Sequence, residues 1–228
     1  MELNADFGRR AAVHAARLSW TPSPVAGVMR RMLDRIGAEV ARATSIVRYA
    51  PGSRFPVHTH GGGEEFLVLD GVFSDEHGDF PTGSYIRNPP TSSHTPGSEP
   101  GCTIFVKLWQ FDPEDRTHVR IDTNTMPFLA TADRPGIAVM PLFRDRVEDV
   151  RLERWLPGTD IYLVGPAGIE ILVLDGTFEE SGETFEPQSW LRLPAKATLQ
   201  AKAGPGGCKI WVKTGHLAHA PTAPMMAT

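Results

Sequence analysis

The nine residues Glu65-Phe66-Leu67-Val68-Leu69-Asp70-Gly71-Val72-Phe73 recur later in the chain as Glu170-Ile171-Leu172-Val173-Leu174-Asp175-Gly176-Thr177-Phe178. The match extends both ways. Upstream, Arg48-Tyr49-Ala50-Pro51-Gly52 answers to Arg154-Trp155-Leu156-Pro157-Gly158, and downstream Gly101-Cys102-Thr103-Ile104-Phe105-Val106-Lys107 answers to Gly207-Cys208-Lys209-Ile210-Trp211-Val212-Lys213. Self-similarity over such a span means that one structural unit is used twice. The matching segments are rich in β-branched and aromatic residues and are bounded by Gly or Pro, which is the composition of strands. With 22 glycines and 20 prolines punctuating short apolar runs, the chain reads as all-β. Antiparallel strands of this kind protect their edges by closing into barrels or by pairing two sheets.

The repeat divides the 228 residues into a first unit over 1–116, a polar, Thr- and Asp-rich connection over 117–135, and a second unit over 136–228. Hydrophobic residues make up 41% and charged residues 22%, as in globular proteins, which excludes a disordered or fibrous chain. A net charge of -4 with scattered basic residues argues against a phosphate-tracking surface, so no direct nucleic-acid partner is expected. Arg30, Arg31 and Arg35 come nearest to a basic patch; with Asp34 among them they read as a solvated strand face without a role. Runs such as Phe66 to Leu69 fall far short of the ~20 residues that span a bilayer, so no membrane partner is expected either. The start, Met-Glu-Leu-Asn-Ala-Asp, lacks the features of a secretory signal, and two cysteines make no disulfide framework, so the expected location is the cytoplasm.

The chemistry is concentrated in the first copy. After Gly52 come His58-Thr59-His60, then Gly61-Gly62-Gly63, then Glu64. Side chains at i and i+2 of a strand share a face, so His58 and His60 enter one interior, and the glycines let the backbone turn and bring Glu64 back on the next strand. A fourth residue, His94, follows Gly83 and Pro89 on a separate strand that a barrel would bring across. Three imidazoles and one carboxylate suit Zn, Fe(II), Mn, Ni or Co better than Ca or Mg, which prefer oxygen ligands. The expected metal site is therefore His58, His60, Glu64 and His94, with one divalent transition metal, zinc first and iron, manganese or nickel as alternatives.

This arrangement resembles the two motifs of the cupin superfamily, whose fold is the double-stranded β-helix or jelly-roll barrel. Gly52, His58, His60, Glu64 and Gly71 match the first motif in full. Gly83, Pro89 and His94 match the second, with Thr91 where a glycine is usual and Ser98 where an asparagine is usual. More narrowly, Gly62-Gly63-Glu64-Glu65, Gly71 to Asp79 and Arg87-Asn88-Pro89-Pro90 resemble the ChrR-type cupin, the metal-binding domain of certain anti-sigma factors. The resemblance implies two tandem cupin barrels and, at the four matched residues, zinc. It also implies a regulatory or sensing protein responsive to a small molecule or to oxidative stress. Its alternative is a non-haem metal-dependent dioxygenase similar to acetylacetone dioxygenase, where three histidines hold iron. The helical, zinc-binding domain with which anti-sigma factors grip sigma is absent here, so a sigma-factor partner is not expected, while a small-molecule ligand and a homodimer stay open.

The remaining candidates read as structural. Glu65 should face away from Glu64, and His77 falls in a hairpin loop. Cys102 and Cys208 occupy equivalent strand positions and behave as small core residues. Arg87 and Arg192 correspond between copies, as a shared ion pair would, and Tyr85 and Trp109 read as barrel packing rather than pocket lining. In the second copy Ile169 stands where Glu64 does, Leu199 where His94 does, and Leu163-Val164-Gly165-Pro166 replaces the His58-Thr59-His60 region, so that copy is expected to keep the fold and lose the metal ligands.

Overall fold

A computed structural model describes residues 1–38, 40–218 and 223–224. As the composition requires, the fold is all-β: among the described residues the helical content is one 3-10 turn, Ala15–Arg17, and no helix is long and apolar enough to cross a membrane. The chain forms two compact units, one from residues 1–5 with 18–125, the other from residues 6–17 with 126–218.

The first unit is built on an antiparallel sheet. Its strand order is Glu2–Leu3, Val28–Gly37, Ala41–Tyr49, Cys102–Leu108, Glu64–Asp75, Ser84–Asn88, Val119–Asp122. A two-stranded sheet, His58–Thr59 with Ser93–His94, belongs to the same unit. In the second unit the order is Leu129–Ala130, Ile137–Arg144, Asp149–Trp155, Ala197–Thr214, Ile169–Glu180, Ser189–Leu193, Ala11–His14. The central strands thus follow one plan twice, as the repeat requires.

Two segments depart from the simple division at 116 and 135. The stretch read as a connection carries two strands, Val119–Asp122 and Leu129–Ala130. Val119–Asp122 completes the sheet of the first unit by pairing with Ser84–Asn88, and Ala11–His14 completes that of the second by pairing with Ser189–Leu193. Each segment satisfies backbone groups that an open sheet edge would leave unpaired.

The glycine shared by the two nine-residue segments has a geometric reason. Gly71 and Gly176 have φ of 73° and 70°, and a Cβ at either would sit 2.0 or 2.2 Å from the carbonyl oxygen of Gly101 or Gly207 on the neighbouring strand. Only glycine combines a left-handed backbone with that approach.

The interior differs between the units. In the second, Ile161, Ile169, Ile171, Phe178, Phe185, Leu199 and Ile210 pack into one continuous apolar cluster. In the first, Phe66, Val68, Phe73, Ile86, Ile104 and Val106 fill part of the interior, and the rest is a cavity.

Candidate metal centre

The short sheet places the first pair of candidate ligands: His58 and His94 are direct Cα partners across it. The ladder continues to His60, whose N–H donates to the Ser92 carbonyl at 2.9 Å and whose carbonyl accepts from Thr91 N–H at 2.9 Å. Thr91 itself has φ 73°, the left-handed region, which accounts for the glycine usual at that motif position. Glu64 opens the strand Glu64–Asp75, where it faces Asn88 on one side and Leu108 on the other.

The three glycines ahead of Glu64 do more than let the backbone turn. A Cβ on Gly61 would lie 2.7 Å from the Trp109 ring, one on Gly62 2.4 Å from the same ring, and one on Gly63 2.4 Å from the Phe111 ring. Of the three only Gly63 has a positive φ, 77°. The missing side chains make room for two aromatic rings against the loop that carries the ligands.

His58, His60 and His94 come together with one ring nitrogen of each within 4.8 Å of the others. Their ring centroids are 4.7–5.1 Å apart. Glu64 stands beside two of the three, its Oε2 3.4 Å from His60 Nε2 and 3.5 Å from His94 Nε2. Asn88 Nδ2 donates to the same oxygen at 3.4 Å. His58 is exposed, whereas His60, Glu64 and His94 are buried.

Hydrogen bonds on the far side of each ring set the tautomer. Ser92 Oγ donates to the Pro89 carbonyl at 2.6 Å, so it accepts from His60 Nδ1–H at 3.1 Å. Asp75 accepts from His94 Nδ1–H at 3.2 Å, and the Pro56 carbonyl faces His58 Nδ1 at 3.4 Å. Every Nδ1 meets an acceptor, so each Nε2 carries the lone pair a metal needs. His60 Nε2 is buried with no hydrogen-bond partner, an orphaned acceptor that a cation would satisfy. The donor set therefore fits a divalent transition ion.

Burial pushes the His60 imidazole below its ordinary pKa, with Glu64 acting in the opposite sense. Burial also acts to lower His94, but the hydrogen bond to Asp75 and the Glu64 charge outweigh it and raise that pKa. Asp75 responds in kind: its burial is overcome by His94 and by the His77 backbone N–H, and it titrates lower than usual. Asp75 and Ser92 bear no sequence mark of this role, because the barrel alone brings them behind the ligand rings.

A cavity of about 450 Å³ opens onto this group and is lined by His58, His60 and Glu64. Much of its wall is apolar, from Val28, Val47, Ile104, Val106 and Leu108. Trp109, read from the sequence as packing, also lines it, as does Tyr49, whose phenol stays protonated because burial and then the Glu64 charge oppose its ionisation. Tyr85 does not: it is fully buried and donates to Glu65 at 2.7 Å. Glu65 is turned away from Glu64, 3.6 Å from Arg87, which also pairs with Asp115 at 3.0 Å. Arg192 lies over the Phe7 ring at 3.7 Å and donates to the Asp6 carbonyl. His77 is exposed, and Cys102 and Cys208 are buried free thiols that burial pushes up to about 11 and about 12. Arg30 and Arg35, read as a solvated face, line the cavity instead, while Arg31 stacks over Trp20 at 4.3 Å.

In the second unit the corresponding positions are apolar and packed. Leu163 faces Leu199 in the register that His58 holds with His94. Ile169 and Leu199 are fully buried, and a Cβ on Gly165 would meet the Ile169 side chain at 2.4 Å. Apolar contact occupies the space that the imidazoles take in the first unit.

The ChrR cupin-like domain family matches the chain twice, over residues 8–112 and 116–218. No curated protein matches the sequence. Among solved structures, a Nostoc punctiforme protein provisionally described as a dioxygenase superposes with a TM-score of 0.71 at 17% identity, covering 100% of this chain and 87% of its own. YlbA from Escherichia coli gives 0.69 at 14% identity, covering 93% of each chain. A mutant of Bacillus subtilis oxalate decarboxylase gives 0.63 at 10% identity, over 90% of this chain and 77% of its own. At these identities the likeness establishes the tandem cupin fold.

Proposed function

The chain belongs to the ChrR cupin-like family along both of its halves, and on that premise we propose that its first unit holds one divalent transition-metal ion on His58, His60 and His94, with Glu64 as fourth ligand, and that a small molecule binds beside it. The observation that carries this reading is the cavity of about 450 Å³, because ligand residues form part of its wall. A tetrahedral zinc closed by four side chains leaves no position for substrate, whereas six-coordinate iron, manganese or nickel on the same residues leaves two. A cavity at the metal is useful only in the second case, which favours small-molecule chemistry of the dioxygenase type.

Bound here, such an ion would supply Lewis acidity or the activation of dioxygen. The protein's own part is separable from that chemistry. Val28, Val47, Ile104, Val106 and Leu108 exclude water and bury an apolar body, and the protonated Tyr49 phenol is a hydrogen-bond donor within the same cavity. Asp75 and Ser92 hold His94 and His60 with Nε2 inward. Family membership favours a second reading, in which the same binding event is sensed, as in regulation by small molecules or oxidative stress, rather than turned over.

Loading the chain with Co(II) and adding azide tests the open site. The expected result is a visible spectrum of five- or six-coordinate character that shifts with azide. Intense tetrahedral bands unmoved by azide would instead mark a closed structural site.

A further inference from the structure

Arg30 and Arg35 are five positions apart on the strand Val28–Gly37, and strict alternation would send them to opposite faces. The strand is bulged. Met32 pairs with Ser45 and Asp34 with Thr44, so Leu33 is an extra residue, and the phase flips beyond it. Both arginines consequently line the metal-side cavity. On the neighbouring strand Arg35 faces Ala43 and Arg30 faces Val47, with Ser45 between those two on the same side, and all three line the cavity.

The wall of the cavity is poor in negative charge. Glu64 is the one carboxylate among the residues lining it, and that group is turned to His60 and His94. Arg30 Nε is buried without a hydrogen-bond partner, and such a donor gains the full value of any acceptor brought to it. The Arg35 guanidinium is steadied by the Ala38 carbonyl. Burial, and then the charge of Arg30, hold it below its ordinary pKa, as expected of two neighbouring cations.

We propose that the ligand of this cavity is a small organic carboxylate with an apolar body, its carboxylate taken by Arg30 and Arg35 and its hydrocarbon part by Val47, Ile104, Val106 and Leu108. The forked guanidinium matches a carboxylate in two parallel hydrogen bonds. An inorganic anion would satisfy the charge and leave the apolar wall and most of the volume unused. The proposal rests on the small-molecule reading of the cavity given above.

The test is calorimetric titration of the full chain, with metal content measured on each sample, using hexanoate, its neutral analogue hexanamide, and inorganic phosphate. Hexanoate is expected to bind, with hexanamide and phosphate at least about tenfold weaker, since charged hydrogen bonds carry roughly that much discrimination. Arg30→Gln and Arg35→Gln should each weaken hexanoate by about tenfold or more, and Arg30→Lys, which keeps the charge and loses the fork, by less. Failure of hexanoate to bind, equal binding of hexanamide or phosphate by the wild type, or glutamine variants that bind as the wild type does would each overturn the proposal. The comparison of hexanoate with hexanamide needs no variant and so is independent of folding effects. Arg-dependent hexanoate binding by protein that takes up no metal when incubated with Co(II) would refute the metal reading and keep this one; full metal with arginine-independent binding would do the reverse.

Discussion

Replacing His60 or His94 with alanine is expected to take the first unit from about one bound metal ion per chain to near none. Each imidazole has its Nδ1 committed to an acceptor, Ser92 for His60 and Asp75 for His94, and offers Nε2 beside Glu64. Removing either leaves a donor set too poor to compete with water and chelators. Asp75→Asn should act more gently, lowering affinity by about 10–100-fold, because it loosens the ring behind the metal without removing a ligand. Elemental analysis after dialysis against a weak chelator reads all three variants. Near-stoichiometric metal in both alanine variants would contradict the assignment.

Glu153→Gln is expected to destabilise the second unit by about 3–5 kcal/mol at neutral pH, the usual consequence of breaking a buried ion pair from one side. Glu153 is fully buried, with Oε1 accepting from Arg134 at 2.9 Å and Arg151 at 2.8 Å, and Oε2 from Trp155 at 2.8 Å. A glutamine amide must turn its NH2 toward one of those donors. Burial alone would raise the Glu153 pKa, yet Arg151 and Arg134 outweigh it, and the group titrates below its ordinary range. A depressed carboxylate contributes stability that is complete above its unfolded pKa, about 4.3, and is lost as pH falls through the folded value. The gap between wild type and variant in urea unfolding should therefore be widest near pH 7 and narrow below about pH 4. A gap that stays constant on acidification would show that the loss does not depend on the carboxylate charge, and a gap absent at neutral pH would show that the network carries no net stabilisation.

The parts of this architecture that sequence displays are those with a short period or a short spacing. The nine-residue repeat announces two β units, and the i, i+2 spacing of His58 and His60 announces one shared face. The approach of His94 needed the resemblance to a known motif, because its strand partner is remote in sequence. What stayed hidden depends on where the chain goes. Ala11–His14 pairs with Ser189–Leu193, and nothing in either segment names the other. Asp75 and Ser92 are ordinary polar residues until the barrel sets them behind the ligand rings. Arg30 and Arg35 read as solvated charge because Asp34 sits among them, and the bulge at Leu33 that brings both onto the cavity face has no glycine or proline to mark it. The three glycines before Glu64 were legible as special, but their reason, the rings of Trp109 and Phe111, lies well downstream in the chain.

X-ray absorption at the edge of whichever metal copurifies tests the central claim most directly, because it reads the ligand atoms themselves. The account predicts a first shell of nitrogen and oxygen at about 2.0–2.2 Å, with the outer-shell pattern of imidazole rings and no sulfur. It also predicts that the imidazole contribution falls in the His58→Ala protein, whose ligand is the exposed member of the group. Sulfur scattering, which would place the ion at Cys102 or Cys208, or a shell of oxygen alone without imidazole, would contradict it.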